Sequence, residues 1–375
     1  MLFRSEALDR AIEADSLFAP AYLHAIEVAG EVGGPALMRR YAVPFLRLDP
    51  HGTFAAATRI DMLLADTSRV SDAALAALVD SAPGQGVGRA ARDTYFWADS
   101  AETQLRMMRA LDTSRVFERK NPPWPRATNE WIMQWNLVLR GHVREAARRP
   151  QSEQTLAFML AAVHVGLFRA DSARMLVMRW AADTTRALTP PGMPFSPLLQ
   201  SAAYFAESRD TAGLRVVGDG VLLRLRQAKA PAAMAAAVRQ SLSAFTALAR
   251  GDSALALRLL ETAPKVQCGT CDHAFNLTHA RLLAARGRNR EALALLRPRG
   301  VALPPMEFVI WSLERGRAAE AEGERETAIT EYGRVIDLWR NGDPEVQQVV
   351  QEARSGLTRL GGDAARRRVV AAQLR

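Results

Sequence analysis

Apolar residues return at helical intervals along almost the whole chain. In many windows of roughly ten to sixteen residues they recur at the spacing of one helix face. The stretch "QTLAFMLAAVHV", which begins at Gln154, sets Leu156, Met159, Leu160 and Val163 on one stripe. No run of alternating β-branched residues bounded by hairpin turns interrupts the pattern. Ala, Leu, Arg and Glu dominate, and all four are strong helix formers. Gly, Pro, Asp and Ser punctuate the windows at short intervals. The pattern predicts an all-α chain of roughly eighteen short helices joined by tight turns.

Short helices at regular intervals call for a search for internal repeats. In the C-terminal third, "ALARGDSALALRLL" (Ala247–Leu260), "LAARGRNREALALL" (Leu283–Leu296) and "AEAEGERETAITEY" (Ala319–Tyr332) align on Gly251, Gly287 and Gly323, 36 residues apart in both steps. Each glycine is followed at a fixed distance by an alanine (Ala256, Ala292, Ala328) and then by a large residue (Leu260, Leu296, Tyr332). Each is preceded by a small one (Ala244, Ala280, Gly316). Glycine closes a helix in the left-handed conformation. The small residues let two backbones approach, and the large one fills the gap to the next pair. Such a hairpin cannot bury its apolar face alone, so neighbours must stack.

The N-terminal segment carries the same theme. "AIEADSLFAPAY" (Ala11–Tyr22) and "FLRLDPHGTFAA" (Phe45–Ala56) align at Asp15-Ser16 and Asp49-Pro50, 34 residues apart. Gly141 and Ala146 repeat the glycine-to-alanine step once more. Three stretches follow: N-terminal repeats over 1–83, degenerate helical repeats over 84–190, and C-terminal repeats with terminal helices over 191–375. "SAPGQGVG" and "RKNPPWPR" flank the degenerate part, and "TPPGMPFSP" (Thr189–Pro197) is a further break.

These residues resemble the tetratricopeptide repeat (TPR) family, whose unit carries small-residue, Gly and Ala positions followed by an Asp-Pro turn. The match covers 5–60 and 237–340 and is loose between them; the period stretches to 36, and aromatic positions are often aliphatic. The resemblance implies a TPR-like α-solenoid of stacked antiparallel hairpins in a right-handed superhelix, with extended-peptide binding in its concave groove. The stretch from Glu314, "ERGRAAEAEGERETAITEYGRVIDLWRNGDPEVQQVVQEARSGLTRL", is similar to the C-terminal TPR regions of bacterial serine/threonine kinases and winged-helix transcriptional activators. No Gly-rich loop, catalytic-loop His-Arg-Asp or Asp-Phe-Gly motif accompanies it. With Asp15-Ser16 as an inter-repeat turn, residues 5–14 are the second helix of a unit whose first helix would precede Met1. That predicts a C-terminal fragment or a misplaced start; the other reading is an atypical lone capping helix.

The formal charge is +9. Lysine occurs only at Lys120, Lys229 and Lys265, so nearly all of the positive charge is arginine, spread along the chain and mixed with Asp and Glu. Phosphate binding needs a concentrated basic surface, so composition argues against a nucleic-acid partner. No apolar run approaches the ~18–20 residues that span a bilayer. The N-terminus has an acid by Glu6 and no apolar core of signal-peptide length. As written, the chain is expected to be cytoplasmic and not membrane-inserted; as part of a membrane-anchored protein it would be extracytoplasmic.

No nucleophile elbow, phosphate loop or His-Glu-x-x-His motif is present, and His24, His51, His142 and His164 are scattered. The expectation is a non-catalytic scaffold without cofactor, binding a protein or an acidic peptide. In the repeat frame Arg281 and Arg317 take the same inner position of consecutive units, where paired guanidiniums grip carboxylates; the other reading is two solvated arginines. Tyr95, Phe96, Trp97, Trp124, Trp131 and Trp135 either line a binding surface or fill gaps between irregular repeats. In "VQCGTCDH", Cys268 and Cys271 fall in the turn before a repeat that opens at His273, with Asp272 as helix cap. Zinc held by these cysteines with His273 and His279, a disulfide stapling the turn, and a reduced pair without special role all remain. A redox-responsive or zinc-binding repeat protein is therefore the second functional reading.

Overall fold

The computed structural model describes residues 2–32, 34–52, 54–65, 70–81, 101–120, 126–149, 156–164, 166–183, 196–263, 271–296 and 305–366. Secondary structure among them is entirely helical, as the periodicity predicts. The chain divides into two compact units, Met1–Arg140 and Gly141–Arg375. This division follows packing. It falls inside the middle stretch of the three that repeat regularity marks out.

In the first unit, α1 (Leu2–Ala14), α2 (Ala19–Val32), α3 (Gly34–Leu48) and α4 (Ala55–Ala65) pack in succession. Asp15 makes the first turn: its Oδ1 accepts from the Leu17 N–H at 3.0 Å and its carbonyl from the Phe18 N–H at 3.1 Å. A short acidic side chain stabilises a turn by bonding its own backbone in this way. Asp49-Pro50 likewise stands between α3 and α4. The core between α2 and α3 holds Tyr22, Ile26, Met38, Tyr41 and Phe45. Beyond it, α5 (Asp72–Ser81) packs on α6 (Ala101–Thr113) and α7 (Arg115–Lys120), and α6 packs on α8 (Arg126–Leu139). Tyr95, Phe96, Trp97 and Trp124 lie outside the described residues.

The second unit begins with α9 (Val143–Arg148), α10 (Leu156–His164), α11 (Ala170–Ala182), α12 (Ser196–Glu207), α13 (Thr211–Gln227) and α14 (Ala232–Ala249). It continues with α15 (Ser253–Glu261), α16 (Cys271–Ala284), α17 (Asn289–Leu295), α18 (Pro305–Ala321), α19 (Arg325–Trp339) and α20 (Gln347–Arg359). The 36-residue frame marks three hairpins: α14/α15, α16/α17 and α18/α19. Gly251, Gly287 and Gly323 turn them at φ +83°, +73° and +77°. In each, the glycine N–H donates three residues back and the next N–H five residues back, as in Gly251 to the Leu248 carbonyl and Asp252 to the Ala247 carbonyl. This is the paired bond of a Schellman cap, which satisfies carbonyls the helix end leaves open.

The repeated small and large residues are all buried. Tyr332 shows what they do. Its ring lies so close to Gly316 and Gly356 that a Cβ on either would come within 2.8 Å and 2.4 Å of it. One large side chain therefore occupies the space that two glycines leave, on α18 of its own hairpin and on α20 beyond it. Its hydroxyl donates to Glu320 at 2.7 Å, and Arg359 grips the same carboxylate with two bonds of 2.6 and 2.8 Å.

Two further turns have the same bonding without glycine. Arg209, between α12 and α13, and Lys229, between α13 and α14, stand at φ +57° and +51°. An L-residue there costs about 1–2 kcal/mol, and their sequence carries no turn signal of the glycine kind. Arg224 of α13 is buried, and its guanidinium donates to the carbonyls of Trp180, Ala181 and Asp183 at the end of α11 and of Gly220 on its own helix. A cation there answers both the open carbonyls and the negative end of the α11 dipole.

The second unit also departs from a stack in which each hairpin touches only its neighbours. Helix α12 packs on α16, and α10 packs on α18. Gly141, at φ +80°, meets Gly342, and the Asp343 N–H donates to the Gly141 carbonyl at 2.9 Å. The Asp343 carboxylate accepts from the Arg144 N–H at 2.7 Å, and the Arg144 side chain pairs with Glu345 at 2.7 Å. The start of this unit is thus joined to the segment between α19 and α20. That explains why α10 buries Phe158 and Ala162 as well as Met159 and Leu160 of the predicted stripe: it has neighbours on more than one side.

Candidate functional site

Arg281 lies on α16 and Arg317 on α18, both with side chains a little over 40% exposed. They do not stack. Glu314 of α18 stands between them, accepting from Arg281 at 2.8 Å and pairing with Arg317 at 2.9 Å. Glu207 of α12 lies 3.8 Å from Arg281, and Glu352 of α20 pairs with Arg317. The five side chains form a ladder across four helices, with three carboxylates to two guanidiniums. The charge expected to receive an acidic partner is already answered within the chain.

Glu307, in the first turn of α18, adds a third acid beside Arg281. Burial pushes its carboxyl up to about 7, although Arg281 pulls the other way. On the far side of α16, His279 is half-buried, and its Nε2 has no hydrogen-bond partner among the described residues. Burial holds its pKa below the usual imidazole value, with Glu261 opposing. Above it, Arg288 pairs with Glu291 at 2.6 Å and with Glu261, which bridges the hairpins α14/α15 and α16/α17.

Helix α16 opens at Cys271, before the expected cap Asp272. Cys271, His273 and His279 are therefore on one continuous helix. The side chains of Cys271 and His273 lie outside the described residues. Cys268 lies outside the described residues. Trp131 and Trp135 both sit on α8, with Trp135 half-buried. His24 and His51 are exposed in the first unit, while His142 precedes α9 and His164 ends α10.

Sequence reasoning missed a second arginine cluster. An open groove of about 560 Å³ runs between α13 and α14. Arg215, Arg239 and Arg250 line it, and none makes an ion pair or side-chain hydrogen bond among the described residues. Among the described residues, Asp219 is the one acid of the lining. Between Asp219 and Asp252 the sequence contains no acidic residue at all. That local absence was the available signal, and a chain-wide view of charge averages it away.

Among known proteins, no family model matches the chain, and no curated protein is significantly similar to it. Among the described residues, no helix is long and apolar enough to cross a membrane.

Proposed function

We propose that the chain is a non-catalytic helical-repeat scaffold of the tetratricopeptide type, a solenoid of stacked hairpins that binds a protein or peptide as the regulatory part of a bacterial signalling system. One observation carries this reading. Three successive hairpins at a 36-residue period share the same glycine turn and the same buried small and large positions. Repetition of one packing unit builds an extended surface rather than a single reaction centre. The internal pairing of Arg281 and Arg317 supports the same view, since Arg281 pairs with Glu314 of α18 and Arg317 with Glu352 of α20, which ties neighbouring helices together.

The test is capture with the immobilised full chain from the cell that makes it, followed by titration of the purified partner. One protein that binds with a Kd of about 10 μM or tighter supports the reading. A chain that retains nothing specific, or that turns over a small molecule, refutes it. Thiol titration and metal analysis test the reading based on Cys268 and Cys271: a stoichiometric metal or a redox-dependent change in partner binding would favour that reading.

A further inference from the structure

We infer that the groove between α13 and α14 binds a short acidic peptide segment with an apolar residue at its centre. The inference rests on the scaffold reading and names its binding surface. The groove carries three guanidiniums against one carboxylate. Elsewhere in this unit Arg144, Arg174, Arg281, Arg288, Arg315, Arg317, Arg334 and Arg359 all pair with carboxylates of the chain. Arg215, Arg239 and Arg250 are exposed and need no rearrangement to meet an anion. A guanidinium matches a carboxylate through two parallel bonds.

The dimensions favour a peptide. Residues 211 to 222 of α13 line the groove over about 16 Å at the helical rise. About five extended residues cover that length. The chain reverses over the short connection 228–231, so Arg250 lies towards the Thr211 and Arg215 end and Arg239 towards the Leu222 end. The basic groups thus flank the middle of the groove. There Gly218 presents no side chain, and a Cβ built on it would meet only Leu242, at 3.5 Å. An apolar ligand side chain has a place on Gly218 and Leu242, with ligand carboxylates reaching the arginines on either side. Single-stranded nucleic acid binds through bases stacked on aromatic side chains, and no aromatic residue is among the described residues that line this groove.

The experiment titrates the full chain into fluorescein-labelled EDLLDE and reads anisotropy. Parallel titrations use EDSSDE, KRLLRK and an oligothymidine of about twelve nucleotides. Saturable binding of EDLLDE is expected, weaker with EDSSDE, absent with KRLLRK, and diminished by salt. Arg215→Ser, Arg239→Ser and Arg250→Ser should each weaken it about tenfold. Gly218→Met, which fills the floor without touching charge, should weaken it as well. Arg281→Ser with Arg317→Ser should leave it within about twofold, because those arginines are already paired. Circular dichroism of every variant separates loss of binding from loss of fold. The proposal is overturned by no saturable binding up to about 1 mM, by groove variants that bind like the wild type, or by tighter binding of the oligothymidine. A captured partner that binds wild type and Arg239→Ser/Arg250→Ser equally would sink the groove and leave the scaffold reading standing.

Discussion

Two arginine clusters of the second unit have similar ingredients and opposite states. On α16 and α18, Arg281 and Arg317 are held by Glu207, Glu314 and Glu352, each from the face of a packed helix. Between α13 and α14, Arg215, Arg239 and Arg250 face an open groove where, among the described residues, Asp219 alone is opposite in sign. The number of arginines does not separate the two regions. What separates them is whether helices packed alongside supply carboxylates at the right height. The first cluster fastens hairpins together, and the second offers unanswered charge. Substitutions in the ladder region should therefore change stability, and substitutions in the groove should change binding.

The largest effect belongs to the packing beneath the ladder. Tyr332→Ala removes the ring lodged against Gly316 and Gly356 and should cost about 3–5 kcal/mol in chemical denaturation. A cost under about 1 kcal/mol would show that the hairpins do not depend on this contact.

Glu307→Gln tests the acid beside the ladder that burial penalises. Its folded pKa of about 7 lies above its ordinary 4.5, so the favourable protonated form is fully present below 4.5. That contribution is lost as pH rises through about 7. The substitution should be neutral near pH 4 and should stabilise by about 1–3 kcal/mol above pH 7. Denaturation at the two pH values checks it; an equal effect at both would place the carboxylate in a charged environment.

At the head of the groove, Arg209→Gly relieves the left-handed turn before α13 and should raise stability by about 1 kcal/mol. Thermal melting reads this, and no gain would mean that the Arg209 side chain offsets its own strain. The smallest effect is expected from Arg281→Ala: an exposed pair contributes about 0–1 kcal/mol, and the loss should shrink in high salt. A salt-insensitive loss above about 2 kcal/mol would make the ladder a buried network.

Much of the fold was legible in the chain. Gly251, Gly287 and Gly323 marked turns because a left-handed cap is a local requirement that glycine meets without strain. Gly316 and Tyr332 were legible as a small and a large position of the repeat, with the large one expected to fill the gap to the next pair; that the ring also lodges against Gly316 of its own hairpin came from the structure. Arg209 and Lys229 were not, since nothing local distinguishes an arginine or lysine forced into that conformation by the helices on either side. The arginines at 281 and 317 were placed on neighbouring units, but Glu207 is far from them in sequence and reaches Arg281 only because α12 packs on α16.

By itself, then, the sequence determined the helices, their turns and the repeating small and large positions. Those depend on backbone conformation, propensity and periodicity within a few tens of residues. Tertiary structure alone decided which charges are answered, which arginine is buried against the end of α11, and that the segment at Gly141 meets the one at Gly342. The physical reason is range: a cap is satisfied by its own helix, whereas an ion pair or an open groove depends on what another helix brings within a few ångströms.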